Sequence, residues 1–315
     1  MALAAAISAA ATSVFRLNSS ATPIAMASVV SMLPRRQPRL HLSSSSTSPP
    51  LPLLHRRRRS SSKVVVYASL KGWSSVPVSD IRPANAQESI YLITLDLSDA
   101  PILLSSYKTP GQYVLTRVPS AEEKRKPAYM SICTPPRSGT LIQLLVRSVP
   151  NTTSELLCNL KPGDAVELGP CVGQGFFPPI DNINPPEAAM TVVLLAVEEG
   201  ISPIRALIKY GFAAKARDTV MLYYGASSDD LMPLRDEVSG WQDTGVTVQE
   251  VIGEPVQVLP FFQELSKIIV NPDTTAAILV GPKEMEEEVV GKLTDLKVPH
   301  DKILTCQGRY PGSSQ

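Results

Sequence analysis

The chain has 315 residues, with 30 basic and 29 acidic side chains, and its apolar content of 43% is ordinary for a globular protein. This length predicts about two domains. No apolar stretch of about 18 residues occurs, which argues against a membrane span. Of three histidines only His300 lies beyond residue 66, and no cysteine pair has C-x-x-C spacing. These counts exclude a His-dependent hydrolase and predict no metal site.

The first 66 residues differ from the rest of the chain in charge. They contain nine Arg or Lys and no acidic residue, and they include the Ser-rich runs "HLSSSSTSPP" and "RRRRSSSK". This pattern is typical of an organelle transit peptide, and its style predicts import into the chloroplast stroma. The alternative is a disordered basic arm for nucleic acid. The remainder holds 21 basic and 29 acidic residues, a net charge of −8, which argues against nucleic-acid binding.

Residues 67–183 are predicted to form an antiparallel β-barrel. Short alternating runs such as "ESIYLITLDLS" and "TLIQLLVRSVP" are bounded by Pro, Gly, Asp or Asn. The stretch "TSELLCNLKPG" interrupts them with one short inner helix, because Thr and Ser occupy capping positions and its leucines share one side. The Pro-rich stretch "FPPIDNINPPEAA" then marks a domain boundary.

Residues 184–315 are predicted to form a Rossmann-like domain. The run "TVVLLAV" is continuously apolar, as a strand buried on both faces should be. Helical and apolar strand segments then alternate to "KILTCQ". This alternation predicts a five-stranded parallel sheet.

Four stretches carry a resemblance to a known family: "PAYMSICTPP", "NTTSELLCNLKPGDAVELGPCVGQGF", "TVVLLAVEEGISPIRALIK" and "AAILVGPKEMEEEVVGKL". With the predicted architecture, they resemble the ferredoxin–NADP⁺ reductase superfamily. The resemblance looks closest to its plant plastid group of FAD/NAD(P)-binding oxidoreductases, known as fruit-protein-like. It implies an FAD-binding domain at 67–183 and an NAD(P)-binding domain at 184–315.

The first motif implies a contact with the flavin ring. The family pattern is Arg-x-Tyr-Ser, so Ser131 would bond the isoalloxazine edge, while Ala128 and Met130 replace the Arg and the Tyr. Tyr129 would stack on the flavin if the strand bulges; otherwise Met130 would pack there. A substitute for the missing Arg is expected among the nearby basic residues: Lys124, Arg125, Lys126 and Arg147.

The second motif implies a site for the FAD phosphates at the start of the inner helix. Thr152, Thr153 and Ser154 supply hydroxyls there, and free N–H groups with the helix dipole favour an anion. Asn151 replaces the glycine common in the family. The alternative is that these residues only cap the helix.

The third motif implies a nicotinamide nucleotide site. Gly200, Ile201, Ser202 and Pro203 keep the second half of the family's Gly-x-Gly-Ile-x-Pro, whereas Glu198 stands at the first glycine. Its carboxylate is expected to repel a diphosphate by about 1 kcal/mol or more and so to weaken binding. Ser202 and the helix start are expected to remain available to the phosphate.

The fourth motif would complete the nucleotide site. Gly281, Pro282 and Met285 match the family's Cys-Gly-Pro-x-x-Met, and Val280 replaces the Cys. Cys306 either approaches the same site or is a buried thiol.

The coenzyme preference is expected from the stretch "YYGASSDDLMPLRDE". Ser227 and Ser228 would accept a 2′-phosphate, whereas Asp229 and Asp230 would repel it. Because no Arg stands in "GASSDD", NADH is favoured over NADPH.

The sequence therefore predicts an FAD-dependent NAD(P)H oxidoreductase that passes a hydride to flavin and electrons to an unknown acceptor. The cofactors would do the chemistry, since Ser131 at the flavin edge is the one side chain assigned near the reaction. The alternative is a non-catalytic descendant that keeps the fold as a binding or scaffold module. Four departures favour that alternative: Ala128, Met130, Glu198 and Val280.

Overall fold

A computed structural model describes residues 72–119, 125–253 and 259–306. The predicted transit segment 1–66 and Lys124 lie outside the described residues. Both sheets of the fold belong to one compact unit, Val66–Gln315. Among the described residues, no helix has the length and apolar character needed to cross a bilayer.

The first half is a six-stranded antiparallel sheet with strand order β4-β3-β6-β1-β2-β5. Its strands are β1 (Ser74–Pro83), β2 (Ile90–Asp96), β3 (Tyr113–Arg117), β4 (Ala128–Ser131), β5 (Leu141–Arg147) and β6 (Ala165–Val172). The two edge strands approach each other just beyond β4, where Ile132 bridges Leu144 and the Cys133 N–H donates to the Gln143 carbonyl at 2.8 Å. The predicted antiparallel fold is confirmed, with this contact linking its edges.

The described residues of this half include two short helices, α1 (Pro101–Ser106) and α2 (Thr153–Cys158). The sequence patterns predict α2 but not α1. The interior between strands is apolar and includes Val76, Leu95, Val114 and Met130. Met130 is 8% exposed within this core. The expectation that Met130 packs on a flavin is therefore wrong, because its side chain is committed to the interior.

The second half is a six-stranded sheet with order β10-β9-β8-β11-β12-β7. Its strands are β7 (Phe176–Phe177), β8 (Thr191–Val197), β9 (Thr219–Ala226), β10 (Thr247–Ile252), β11 (Thr275–Val280) and β12 (Ile303–Cys306). Five pair in parallel, as predicted, and β7 adds an antiparallel edge beside β12. The helices are α3 (Ile201–Gly211), α4 (Val238–Asp243), α5 (Leu259–Ile268) and α6 (Lys283–Asp295).

Helix α3 lies at the junction of the two halves. Its residues Ile201–Ile208 are all buried, because α3 packs against β8 and β11 and its side chains also reach the first half. The helix begins two residues before Pro203, which the sequence analysis placed at the first helical position. A short 3₁₀ turn, Glu198–Gly200, precedes it. Proline is tolerated there because the N–H groups of a first helical turn have no partner within the helix.

Arg205 fastens α3 to the antiparallel half. One terminal nitrogen, Nη1, donates to the Cys133 carbonyl and to Gln143 Oε1, each at 2.9 Å. Its Nε and Nη2 donate to the two oxygens of Glu237 at 2.7 and 2.6 Å. Arg205 is 3% exposed. This buried network fixes the helix start against the end of β4.

Candidate functional site

The turn between β8 and α3 is built around close contact with β11. A Cβ on Gly200 would lie 2.5 Å from the Val280 carbonyl oxygen, so only glycine fits. Glu198 has a φ of 48°, in the left-handed region where glycine is favoured and other residues pay roughly 1 kcal/mol or more. The backbone therefore keeps the geometry of a two-glycine turn although a glutamate occupies its first position.

Both glutamates of the turn pair with a cation from the antiparallel half. Arg147, the last residue of β5, donates from Nε to the Glu199 carboxylate at 3.1 Å and from Nη2 at 2.6 Å. Its Nη2 also donates to Glu198 Oε2. The hydrogen bond to Glu199 raises the pKa of Arg147 above its ordinary value. Two carboxylates and one guanidinium leave a formal net charge of −1, so Arg147 offsets one of the two negative charges of the turn.

The second oxygen of Glu198 reaches the end of β9. Its Oε1 accepts hydrogen bonds from the Ser227 N–H at 3.2 Å and from the Ser227 hydroxyl at 3.0 Å. Ser227 was expected to meet a 2′-phosphate, but its N–H and its hydroxyl both donate to Glu198. Arg147, expected near the FAD phosphates, instead contacts the turn Glu198–Gly200, called the acidic turn below.

Tyr129 and Ser131 share one face of β4. The ladder between β3 and β4 runs without a register shift, so no bulge is needed to bring their side chains to the same side. Tyr129 meets Tyr113 edge to face, with ring centroids 5.2 Å apart. The Ser131 carbonyl lies 3.5 Å from the Ser202 hydroxyl of α3. The predicted flavin strand therefore contacts the start of the predicted nucleotide helix.

Ser202 is buried in that contact. It is fully inaccessible, and its hydroxyl is directed at the Ser131 carbonyl. The expectation that Ser202 stays available to a phosphate is therefore wrong. Ile201 and Pro203 are buried as well, which leaves Gly200 as the partly exposed residue of the Gly200–Pro203 motif.

The start of α2 combines hydroxyls with a guanidinium. The hydroxyl oxygens of Thr152 and Ser154 are 2.7 Å apart. The Thr152 side chain makes no capping hydrogen bond to the N–H groups of the first helical turn. The Thr153 hydroxyl is instead buried and donates to the Lys126 carbonyl at 2.7 Å. Arg125 donates to the Thr152 carbonyl at 3.0 Å. Arg125, one of the cations considered from sequence, is thereby placed on this helix start.

Glu155 completes the α2 start. It accepts from the Asn151 N–H and from Arg125, each at 2.9 Å. The Asn151 N–H, followed by Arg125, holds the pKa of Glu155 below its ordinary value. Asn151 has a φ of 64°, which explains why its position suits the family's glycine.

The β11–α6 turn lies beside the acidic turn. The Gly281 N–H donates to Glu286 Oε1 at 3.1 Å, and a Cβ on Gly281 would lie 2.5 Å from the Met285 methyl carbon. Pro282 precedes the first residue of α6. Met285 is 5% exposed, so its role here is packing.

Cys306, the last residue of β12, lies on the strand next to β11, which ends at Val280. Leu279 pairs with Thr305 in the parallel ladder, which places Cys306 level with Val280 at the carboxyl edge of the sheet. Burial, and then the neighbouring Glu286, raise the pKa of the Cys306 thiol, so it stays protonated at neutral pH.

Arg235, which the sequence patterns did not single out, lies beside the expected coenzyme region. It donates to Asp229 Oδ2 at 2.5 Å and to Glu250 at 3.1 and 2.6 Å. Asp229, expected to repel a 2′-phosphate, is therefore paired with a cation that lies outside "GASSDD" in sequence. In the sequence, the one sign of this cation is the Arg of "RDE", a few residues after "GASSDD".

The chain resembles known proteins in sequence and in fold. No protein-family model matches the chain. It is 38% identical over 247 residues to fruit protein pKIWI502 of Actinidia deliciosa, across 75% of this chain and 77% of that protein. It is 26% identical over 200 residues to the ferredoxin reductase component of a 3-ketosteroid-9-alpha-monooxygenase from Mycobacterium tuberculosis, covering 62% of this chain and 53% of that relative.

Solved structures share the fold at low identity. A ferredoxin NADP⁺ reductase from Neisseria gonorrhoeae, with bound FAD and NADP, matches with a TM-score of 0.60 at 14% identity, covering 74% of this chain and 97% of that one. Phthalate dioxygenase reductase, a modular structure for electron transfer from pyridine nucleotides to [2Fe-2S], matches with a TM-score of 0.55 at 18% identity, covering 74% of this chain and 67% of that one.

Proposed function

Since this chain belongs to the family of fruit protein pKIWI502, within the ferredoxin–NADP⁺ reductase-like superfamily, we propose that it is an FAD-dependent NAD(P)H oxidoreductase. Bound FAD would accept a hydride from the nicotinamide and pass electrons on to an acceptor outside the chain. The charge pattern of residues 1–66 supports a location in the chloroplast stroma.

One observation carries the proposal: the end of β4, the strand that bears Tyr129 and Ser131, meets the start of α3. The contact is 3.5 Å between the Ser202 hydroxyl and the Ser131 carbonyl. A ring on β4 and a nucleotide on the β8–α3 turn would therefore be neighbours. Hydride transfer needs this kind of close, oriented approach, which the buried Arg205 network holds in place.

The chemistry of the antiparallel half fits FAD. The Tyr129 ring would contact the flavin, and Ser131 lies on the same face. Arg125 and the hydroxyls of Thr152 and Ser154 at the start of α2 would hold the diphosphate. Thr153 contributes by fixing the helix start to the chain before β4.

The parallel half fits a nicotinamide nucleotide with a restricted phosphate site. Gly200 is the partly exposed residue of its motif, and Gly281 and Pro282 lie across from it after β11. Arg147 balances one of the two carboxylates on the turn. The residues therefore accommodate a nucleotide at a modest electrostatic penalty.

The test is to purify the chain, load it with FAD and add NADH or NADPH without oxygen. The proposal expects a yellow protein with one FAD per chain, whose flavin absorbance bleaches with at least one reduced coenzyme. A colourless protein that cannot be loaded would support the non-catalytic alternative. A yellow protein that neither coenzyme bleaches would remove the hydride step while leaving FAD binding in place.

A further inference from the structure

The carboxylate of Glu198 stands at the end of β9, although the residue follows β8 in sequence. Strands β8 and β9 pair in parallel, with Val197 opposite Gly225, so the residues just beyond them lie side by side. Glu198 crosses this gap, where its Oε1 accepts from the Ser227 N–H at 3.2 Å and from the Ser227 hydroxyl at 3.0 Å. The Glu198 side chain is 15% exposed, so the carboxylate is held in this position.

In dinucleotide-binding Rossmann folds the end of the second strand meets the adenosine ribose. An acidic side chain there accepts a hydrogen bond from the 2′-hydroxyl of NAD, whereas a cation accommodates the 2′-phosphate of NADP. We propose that Glu198 selects the coenzyme, admitting NADH and disfavouring NADPH. This inference rests on the proposed function, because it assumes that the turn binds a nicotinamide nucleotide.

Two of the donors expected to meet a 2′-phosphate are already occupied. The N–H and the hydroxyl of Ser227 both point at Glu198 Oε1. A phosphate would have to displace this carboxylate or bind beside it with like charge. A ribose hydroxyl, by contrast, donates a hydrogen bond and so is compatible with the carboxylate.

The nearby guanidiniums do not reverse the balance. Arg147 is shared between Glu198 and Glu199. Arg235 is shared between Asp229 and Glu250. Each of these cations is outnumbered by two carboxylates, so each cluster carries a net charge of −1. A phosphate monoester carries about −1.5 to −2 at neutral pH, but both guanidiniums are already engaged by carboxylates, so neither is left to attract it.

The experiment compares NAD⁺ with NADP⁺, which differ by the 2′-phosphate, by calorimetry on the full chain. The oxidised coenzymes have no hydride to give, so affinity is measured apart from turnover. The wild-type chain is expected to bind NAD⁺ at least about 10-fold more tightly than NADP⁺. Glu198→Gln removes the charge and keeps an amide oxygen for Ser227; it should reduce this ratio to about 3-fold or less, mainly by tightening NADP⁺.

The matched control is Glu199→Gln, which removes the same charge from the same turn and the same Arg147 partner without touching Ser227. It is expected to leave the ratio within about 2-fold of wild type, since Glu199 is 45% exposed and screened by solvent. If both variants lower the ratio equally, the selection belongs to the net charge of the turn, and the assignment to Glu198 is overturned.

Two measurements on the wild-type chain keep the inference testable even if a variant fails to fold. Raising the salt concentration should narrow the ratio, because salt screens the repulsion of the 2′-phosphate; a ratio that ignores salt overturns the inference. Equal affinity for NAD⁺ and NADP⁺ overturns the role of Glu198 and leaves the proposed function standing. No binding of either coenzyme overturns both.

Discussion

The substitution Glu237→Gln tests the buried network that holds α3 against the antiparallel half. Glu237 accepts from Arg205 at 2.7 and 2.6 Å, and Lys209 lies 2.9 Å from the same carboxylate. Burial alone would raise the pKa of Glu237, but the hydrogen bonds and charges of Arg205 and Lys209 outweigh it and lower the pKa to about 2. The glutamine keeps the shape and removes the charge.

The magnitude follows from linkage between protonation and folding. A carboxyl with a folded pKa of about 2 and an ordinary pKa of 4.5 contributes about 3 kcal/mol to the free energy of unfolding at neutral pH. Because the folded pKa is depressed, this contribution is present above the unfolded pKa and is lost as the pH falls toward about 2. It should shrink to about 2 kcal/mol at about pH 3.5.

The assay is urea unfolding of wild type and Glu237→Gln at neutral pH and at about pH 3.5, with Glu250→Gln as control. Glu250 also accepts from two nitrogens of one guanidinium, that of Arg235. Because Arg235 is 46% exposed, Glu250→Gln should lower the free energy of unfolding only slightly. A Glu237→Gln variant that unfolds at the wild-type urea midpoint, or whose deficit does not shrink in acid, would refute the reasoning.

Three further substitutions probe the site. Gly200→Ala places a Cβ against the Val280 carbonyl and should lower the free energy of unfolding by roughly 1–3 kcal/mol. The control Gly291→Ala, on α6 with open space around the new Cβ, should raise the free energy of unfolding by up to about 1 kcal/mol. Thermal melting measures both, and equal effects would contradict the contact between Gly200 and Val280. Tyr129→Leu should weaken FAD binding about 3- to 10-fold by flavin fluorescence titration, and unchanged affinity would place the flavin elsewhere. Arg147→Met should weaken NAD⁺ binding about 10-fold by calorimetry, because it leaves both glutamates unpaired; tighter binding would mean that the ion pair blocks the site.

Local patterns predicted most of the fold, although they missed α1 and the edge strand β7. The continuous apolar run of β8 and the alternation of strands with helices predict a parallel sheet, since both reflect burial along the chain. The position of Met130 was not settled by the same reasoning, because a strand pattern gives alternation without saying which face is the interior. The early start of α3 was missed because Pro203 suits more than one position in a first turn.

The electrostatics of the site depended on long-range contacts. Arg147 stands 51 residues before Glu198, and nothing in either local motif links them. The burial of Ser202 arises from packing of α3 on the end of β4, which likewise brings distant segments together. The sequence therefore located the acidic turn. Its charge balance could not be predicted, because the Arg147 that offsets it comes from the antiparallel half of the fold.

The most direct test of the central claim is a titration of ¹⁵N-labelled chain with NAD⁺, followed by amide resonances. The account predicts that the amides of Gly200, Ile201 and Gly281 shift together and saturate with the affinity measured by calorimetry. Amides on that turn that stay unmoved at saturating NAD⁺ would contradict the account, because the nucleotide would then bind elsewhere on the fold or not at all.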